Sequence, residues 1–254
     1  MLSRRLFLKK LIISALSLGI TGPFFEAKQV EAAHDVEIPV LLYHRIGAGQ
    51  GHMTISSEKF EADLSQLKTM EFTTINLDLF RRYLLDPETS LPENPLMISF
   101  DDGYLDNYLN AYPILQKFGM TAAFYIITSL VGEEDRLTAG HIREMAANGM
   151  SIGSHTVSHR ELGEMDVEEA ASEMSLSRLY LEGLLQRSVN FIAYPKGSYN
   201  EFTAKIANEA AYNGGFSVEY GTCSHTSNPY ALRRIPVFSF DREIRQTMIK
   251  RGWG

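Results

Sequence analysis

The sequence predicts an α/β fold in which parallel strands form one barrel-like sheet. Strand-like and helix-like segments alternate roughly six or seven times after residue 36, with short connections and no internal repeat. Two of the strand-like runs end in residues that can carry chemistry, and a barrel gathers the carboxyl ends of its strands at one site. A chain of 254 residues is compatible with a single such domain.

Local signals place the elements of the first half. A β-branched and leucine-rich run predicts a strand at 37–44, and Ser56 or Ser57 can cap a helix that ends near Leu67. A short strand at 73–77 and a short helix at 79–85 lead through a proline-rich loop to a strand at 95–100. Apolar residues at helical spacing predict a helix over 105–119.

The second half continues the alternation. Strands are predicted at 121–128, 150–154, 190–194, 215–220 and 232–238. Helices are predicted at 139–148, 166–186, 201–211 and 241–250. Gly149 suits a helix C-cap, and Asp166 with Glu169 three residues later resembles a capping box.

The first 33 residues have the composition of an export leader. Arg4, Arg5, Lys9 and Lys10 precede an apolar run over 11–25, and small residues near position 32 offer a cleavage site. We predict a signal peptide over 1–33, of the twin-arginine or the general-export type, and a domain over 36–254 that acts in the periplasm, at the cell surface or outside the cell. An uncleaved leader is the alternative, and we expect membrane association only through it, since the apolar run is short for a membrane span.

Composition excludes several classes of protein. The apolar share of 44% and charged share of 22% are ordinary for a globular protein, which we expect to be a monomer. A net charge of −7 argues against nucleic acid or an anionic membrane as the main partner. The single cysteine, Cys223, allows no disulfide within the chain.

Two short motifs carry the functional prediction. Asp101 and Asp102 follow the run at 95–100, and His155 and His159 follow the run at 150–154. Neighbouring side chains of an extended segment point to opposite sides, so one aspartate can bind a metal ion while the other faces a substrate. One carboxylate with two imidazoles leaves a coordination position open for water. Each motif alone has a plainer explanation, a turn or a surface pair, but together they favour a hydrolytic metal site.

The roles within this site follow from the chemistry. We expect Asp102, His155 and His159 to hold a divalent ion, which lowers the pKa of bound water towards ~7. Asp101 is then free to act as the general base. This donor set accepts zinc, cobalt, nickel or iron.

The strings Ser-Phe-Asp-Asp-Gly at 99–103 and His-Thr-Val-Ser-His at 155–159 resemble the first two motifs of the polysaccharide deacetylases, the NodB-homology group or carbohydrate esterase family 4. The resemblance covers about residues 36–238. It implies a deformed (β/α)7-type barrel that removes N-acetyl or O-acetyl groups from carbohydrate polymers. It also implies Asp101 as the base and the other three motif residues as ligands of a metal ion, commonly zinc.

The segment 193–200 is similar to the third motif of that family. The match implies that the backbone N–H of Lys196 helps to bind the oxyanion and that Tyr194 and Pro195 line the substrate groove. We expect Tyr104, Tyr194 and Tyr199 to be exposed and to stack on sugar rings, with ordinary core packing as the alternative.

Three departures from the family pattern matter. The arginine that orients the base is missing from its usual place, and Arg233 or Arg234 is the candidate replacement, of which we favour Arg234. The usual Asp-and-Trp motif is absent, since the only tryptophan is Trp253. The motif Leu-x-His, which supplies the general acid, is matched by His44 at the opposite end of the chain.

The position of His44 resembles the circularly permuted subgroup that deacetylates poly-β-1,6-N-acetylglucosamine in bacterial biofilms, the PgaB and IcaB type. The resemblance therefore implies a deacetylase that acts on such a polysaccharide, with His44 as the acid. For His44 the plainer alternative is a core histidine bonded to backbone.

Other functions remain compatible with the sequence. A deacetylase of peptidoglycan or chito-oligomers, an acetylxylan esterase and a hydrolase of another amide need the same metal site. A non-catalytic glycan-binding barrel is an alternative of a different class, and it predicts a broken ligand set. All four residues of the two motifs are present.

Overall fold

Seven parallel strands close into a barrel in the computed structural model, which describes residues 35–254. The strands are β1 (Ile38–Tyr43), β2 (Arg45–Ile46), β3 (Thr54–Ile55), β4 (Thr73–Thr74), β5 (Pro95–Phe100), β6 (Ala123–Ile126), β7 (Ser151–Ser154), β8 (Phe191–Ala193), β9 (Gly214–Tyr220), β10 (Thr222–Cys223) and β11 (Leu232–Pro236). The order around the barrel is β1, β11, β9, β8, β7, β6 and β5, and β5 pairs with β1 to close it. The predicted (β/α)7-type barrel is confirmed.

Helices surround this barrel. They are α1 (Ser57–Thr69), α2 (Leu77–Leu85), α3 (Tyr112–Phe118), α4 (Ala139–Ala147), α5 (Val167–Leu185), α6 (Glu201–Glu209) and α7 (Ile244–Lys250). Side chains of Ser56 and Asp166 accept backbone N–H groups at the starts of α1 and α5, as the capping signals predict.

Residues 35–254 form one compact unit, and the predicted leader over 1–33 lies outside the described residues. None of the helices in the described part of the chain has both the length and the apolar character needed to cross a bilayer.

Several local predictions are wrong at their boundaries. The strand predicted over 73–77 ends at Thr74, because the Asn76 side chain accepts the N–H of Leu79 and so begins α2 at Leu77. The helix predicted over 105–119 opens with a π-helical turn at Asn107–Ala111 before α3. The short strands β2, β3 and β10 have no counterpart among the predictions, since two-residue strands carry almost no periodic signal.

Strand β1 holds the place that the circular permutation predicts. It lies between the last strand, β11, and the aspartate strand, β5, and all six of its residues are buried. In this register Tyr43 lies beside Phe100, and the N–H of Asp101 donates to Tyr43 O at 3.1 Å. His44 and Asp101 therefore leave adjacent strands at the same end of the barrel.

Aromatic side chains fill the barrel below that end. Tyr125, Phe191 and Phe216 are buried inside, and Phe80 of α2 packs against the two phenylalanines from beneath. Each such side chain stabilises the fold by about 1.5–3 kcal/mol through burial. Gly153 is required here, because a Cβ at this position would lie 2.4 Å from the Tyr125 ring. The packed interior gives the site above it a rigid floor.

Candidate active site

A cavity of about 450 Å³ opens at the carboxyl ends of the barrel strands. It is lined by six of the residues that the sequence singles out: His44, Asp101, Asp102, His155, His159 and Lys196. Residues separated by more than a hundred positions in the chain therefore meet at one place, as the barrel prediction requires.

Asp101 is buried on the inner side of the barrel and is fully paired. Both of its oxygens accept hydrogen bonds of 2.8 Å from the guanidinium of Arg234, whose Nε donates to Ser217 O. Burial by itself would raise the pKa of Asp101, but the charges of Arg234 and His155 outweigh it and lower that pKa. The carboxylate is thus held ionised and in one orientation.

The structure distinguishes the two candidate arginines. Arg234 is 0% exposed and points into the barrel, whereas Arg233 is exposed and its Nε lies 3.8 Å from Glu219. Successive side chains of a strand point to opposite faces, so only one of the two can reach Asp101. Arg234 occupies the place predicted for the base-orienting charge.

Asp102 lies next to two imidazoles. Its Oδ1 is 3.4 Å from His155 Nε2 and 3.3 Å from His159 Nε2, and one ligand atom from each residue falls within 4.8 Å of the others. Burial would raise the pKa of Asp102, but the two histidines reverse this and lower that pKa strongly.

This ligand set fits a divalent cation. His155 Nδ1 lies 2.7 Å from Ala193 O, and a carbonyl oxygen only accepts, so Nδ1 carries a proton and Nε2 is the nitrogen that faces Asp102. Asp102 Oδ1 is buried and has no hydrogen-bond donor among residues 35–254. Burial would lower the pKa of His155, but the charges of Asp101 and Asp102 reverse this and raise it, so this part of the cavity favours positive charge, which a divalent ion would supply. A ring nitrogen bonded to a backbone carbonyl is also the usual support of a metal-binding histidine.

The backbone around the ligands is in an unusual conformation. Asp102, Thr156 and His159 have φ values of 74°, 66° and 62°, in the left-handed region that non-glycine residues rarely adopt. Such residues cluster at functional sites, where surrounding contacts hold the strain.

Two of the holding contacts come from residues that the sequence analysis does not identify. Arg136 donates to the carbonyl of Asp102 at 2.8 Å, and its guanidinium lies 4.1 Å from the ring centre of Tyr104. Glu173 of α5 accepts the N–H groups of Val157 and Ser158, both at 2.8 Å. No sequence signal marks either residue, because each acts through a partner more than a dozen positions away.

His44 lies at the wall of the cavity and is half-buried. The buried Asn107, in the π-helical turn, donates to the carbonyl of His44 at 2.8 Å and so fixes the end of β1. Burial lowers the pKa of the His44 imidazole, and the charges of Asp101 and Asp102 only partly oppose this. The ring is therefore neutral at neutral pH.

Lys196 contributes its backbone. It has a φ of 55° within the turn Pro195–Gly197, whose hydrogen bonds are donated by Gly197 and Ser198. The N–H of Lys196 stands outside those bonds, while its ammonium pairs with Glu161 at 2.6 Å.

The predicted sugar-stacking tyrosines need correction. Tyr194 is 0% exposed and donates to Tyr230 O, so the prediction that it is exposed is wrong and core packing is correct. Pro195 is buried as well. The ring of Tyr104 is covered by two guanidiniums, that of Arg136 at 4.1 Å and that of Arg45 at 4.3 Å from the ring centre. Tyr194, Pro195 and Tyr104 are absent from the residues that line the cavity in the described part of the chain.

Apolar residues complete the cavity: Leu42, which belongs to the Leu-x-His motif, and five residues outside the recognised motifs, Met53, Val218, Tyr220, Pro236 and Phe238. Two of these side chains are also open to solvent, Tyr220 at 52% exposure and Met53 at 41%.

Comparison with known protein families matches residues 88–215 to the family described as "Polysaccharide deacetylase". The match includes the two aspartates, the two motif histidines and Lys196, but neither His44 nor Arg234. The sequence motifs and the barrel agree with this match.

Individual proteins are similar over longer stretches. A Bacillus subtilis protein named as a polysaccharide deacetylase, YxkH, is 34% identical over 208 residues, which cover 82% of this chain and 74% of that protein. The poly-beta-1,6-N-acetyl-D-glucosamine N-deacetylase of Staphylococcus aureus (strain MRSA252) is 30% identical over 196 residues, 72% of this chain and 67% of that enzyme. Among solved structures, the Streptococcus pyogenes deacetylase PplD in complex with acetate has a TM-score of 0.80 at 30% identity, covering 84% of this chain and 99% of that one.

Proposed function

We propose that this chain, which belongs to the polysaccharide deacetylase family, is a metal-dependent hydrolase that removes N-acetyl groups from a polymer of N-acetylglucosamine. Membership of the family makes it a deacetylase. The polymer that we favour is a poly-β-1,6-N-acetylglucosamine-like exopolysaccharide, because a relative of that name is 30% identical over 196 residues. The position of β1 between β11 and β5 supports the same choice, since the permuted subgroup is expected to place its acid histidine there.

One observation carries the proposal. A buried, ionised carboxylate, Asp101, lies beside three converging ligand atoms, with its Oδ2 3.9 Å from His155 Nε2. This arrangement suits metal-assisted hydrolysis of an amide, because a fixed base lies next to a site for an electrophile.

Asp102, His155 and His159 would hold the divalent ion, zinc first and cobalt, nickel or iron as alternatives. When bound, the ion would supply Lewis-acid chemistry, polarising the acetyl carbonyl and making water more acidic.

The residues of the chain then have distinct tasks. Asp101 accepts a proton from the water whose oxygen bonds to the acetamide carbon, and Arg234 keeps the carboxylate ionised and oriented. The N–H of Lys196 donates to the oxygen that becomes negative. His44 delivers a proton to the amine nitrogen as the carbon–nitrogen bond breaks. Because the pKa of His44 is lowered, its ring is neutral at the start, so it first takes up, by way of solvent, the proton that Asp101 has received from water, and this returns Asp101 to its ionised form.

The decisive experiment measures acetate release from a panel of glycans, with and without a chelator. The panel contains poly-β-1,6-N-acetylglucosamine, peptidoglycan, chito-oligomers and acetylxylan. We expect release from the first, loss of release with chelator and recovery when zinc is restored. Preferential release of acetate from another glycan would contradict the proposed substrate. Release that persists in the presence of chelator would contradict the proposed metal dependence.

A variant tests the base. Asp101→Asn should lower kcat by about 10²–10⁴-fold, because the amide cannot accept the proton of water. The variant should still fold and bind zinc, which circular dichroism and calorimetry check. Substantial residual turnover would exclude Asp101 as the base.

The leader and the location of the protein belong to the same proposal. We propose that residues 1–33 direct export and that residues 36–254 act on an extracellular or periplasmic polysaccharide as a monomer. The basic start and short apolar run support this. Amino-terminal sequencing of exported protein should find a start near residue 33, and retention of the whole chain in the cell would contradict it.

A further inference from the structure

A cluster of charged side chains links the segment that carries His44 to the loop that carries Asp102. Arg45 follows His44 directly, and successive side chains of an extended segment point to opposite sides. His44 lines the cavity, whereas Arg45 is absent from the cavity lining in the described part of the chain. Arg45 is therefore turned towards the protein, and it can influence a reaction in the cavity only through its neighbours.

Two carboxylates hold the guanidinium of Arg45. Its Nε donates to Asp106 Oδ2 at 2.7 Å, and its Nη2 donates to Asp135 at 2.9 Å. The side chain of Asp106 is only 14% exposed, and its other oxygen accepts the N–H of Ile46 at 3.3 Å. Asp106 thus binds the side chain of Arg45 and the backbone one residue later, so the segment that follows His44 is fixed from two directions.

The ring of Tyr104 gives Arg45 a further contact. The guanidiniums of Arg45 and Arg136 lie 4.3 Å and 4.1 Å from the ring centre, within the range of a cation–π interaction. Two cations beside one ring repel each other, and the two carboxylates that bind Arg45 offset this repulsion. Arg136 also donates to the carbonyl of Asp102. A continuous set of contacts therefore runs from the residue after His44 to the backbone of a metal ligand.

We propose that Arg45 is a positioning residue that holds His44 at a fixed distance from the metal ligand Asp102. The inference rests on the proposed function, because it takes His44 as the acid. Protonation of the leaving amine requires the imidazole within hydrogen-bond reach of the nitrogen, and a displacement of about 1 Å can lower the rate by about 10²-fold. Asn107 fixes the carbonyl of His44, and Arg45 fixes the residue that follows it.

The test uses two acetyl donors that differ in their leaving group. The amine of the glycan amide must be protonated before it leaves, whereas the phenolate of 4-nitrophenyl acetate leaves without a proton. Arg45→Met should lower kcat for poly-β-1,6-N-acetylglucosamine by about 10–100-fold with KM nearly unchanged, and should leave kcat for the ester nearly unchanged. His44→Ala is the reference and should show the same pattern with a larger loss, about 10²–10⁴-fold.

Further variants trace the effect to the contact between Arg45 and Asp106. Asp106→Asn keeps an acceptor for the N–H of Ile46 but loses the ion pair, so it should show the same pattern. The double variant should lose about as much as Arg45→Met alone, since both changes remove one contact. Arg45→Lys, which keeps the charge but not the planar fork, should recover part of the amide activity. Arg82→Met, at an exposed position of α2, is the matched control and should behave as the wild type.

Equal losses with amide and ester in the folded Arg45 variants would indicate a merely structural role and overturn the proposal, as would additive losses in the double variant. Crystal structures of the wild type and Arg45→Met separate this from failure of the proposed function. If the wild type releases no acetate from the glycan, or if His44→Ala keeps full activity, the proposed function or its acid is wrong. The position of the imidazole then decides: a displaced His44 ring in Arg45→Met supports the positioning role, and an unmoved ring overturns it.

Discussion

Asp101 and Asp102 are neighbours in the chain, yet their carboxylates lie in opposite environments. Asp101 faces the barrel interior and has both oxygens bonded to Arg234. Asp102 faces the loops, and its buried Oδ1 has no donor among the described residues. The charge of Asp101 is neutralised by a side chain of the protein, whereas the charge of Asp102 requires a cation beside it.

This difference shows how the two tasks are divided. A base must be ionised and fixed before the substrate arrives, so rigid strands and a buried arginine hold it. The metal ligands must leave one coordination position open for water. They lie in the loops that follow the strands, and Arg136 and Glu173 hold the left-handed backbone of these loops. The predictions below test that division, from the largest effect to the smallest.

Exchanging each aspartate for asparagine should separate the two environments. Asp102→Asn should weaken zinc binding on the order of 10³-fold, because a charged ligand is lost. Asp101→Asn should bind zinc nearly as well as the wild type, since its carboxylate is no ligand. Calorimetric titration measures the zinc affinity of both variants. Equal losses of affinity would contradict the assignment of Asp102, and not Asp101, as the metal ligand.

Removing the arginine should leave Asp101 buried and unpaired. We expect Arg234→Ala to lower the free energy of unfolding by about 3–5 kcal/mol, measured by chemical denaturation. Arg233→Ala, on the same strand but exposed, is the control and should change it by about 0–1 kcal/mol.

The same variant should shift the pH dependence. Without Arg234, burial raises the pKa of Asp101, so the base is protonated over a wider range at low pH. The acidic limb of the profile of kcat/KM should therefore move to higher pH. Arg234→Lys, which keeps the charge but not the two parallel bonds, should move it less, and an unmoved limb in Arg234→Ala would contradict the role.

Loss of the contact to the Asp102 carbonyl should weaken the ligand set without destroying it. Arg136→Ala should reduce zinc affinity by about 10–100-fold, the range for residues that support metal ligands. Arg245→Ala, an exposed arginine on α7, is the matched control. Unchanged zinc affinity in Arg136→Ala would show that Asp102 keeps its left-handed backbone conformation without this hydrogen bond.

The smallest effect is expected at the histidine loop. Glu173→Gln keeps the size of the side chain but replaces a charged acceptor of two backbone N–H groups by a weaker one. Zinc affinity should fall by up to about tenfold. Glu168→Gln on the same helix, where the side chain is exposed, should leave it unchanged.

The outcome for the tyrosines shows where sequence reasoning failed. Tyr194 and Tyr104 adjoin the motifs, and proximity in sequence indicated a role in sugar binding. The structure buries Tyr194 beneath Tyr230 and places Tyr104 between two guanidiniums. Tyr220, which does line the cavity, lies in no recognised motif.

The sequence by itself determined the kind of fold, the candidate metal ligands, the candidate base and the displaced histidine of the first strand. Periodicity and short motifs are local, so they can be read from neighbouring residues. Only the tertiary structure decided that Arg234 rather than Arg233 meets Asp101, and that Arg136, Asn107 and Glu173 brace the site. Those contacts depend on strand register and on the closure of β5 against β1, which join residues distant in the chain and leave no local pattern.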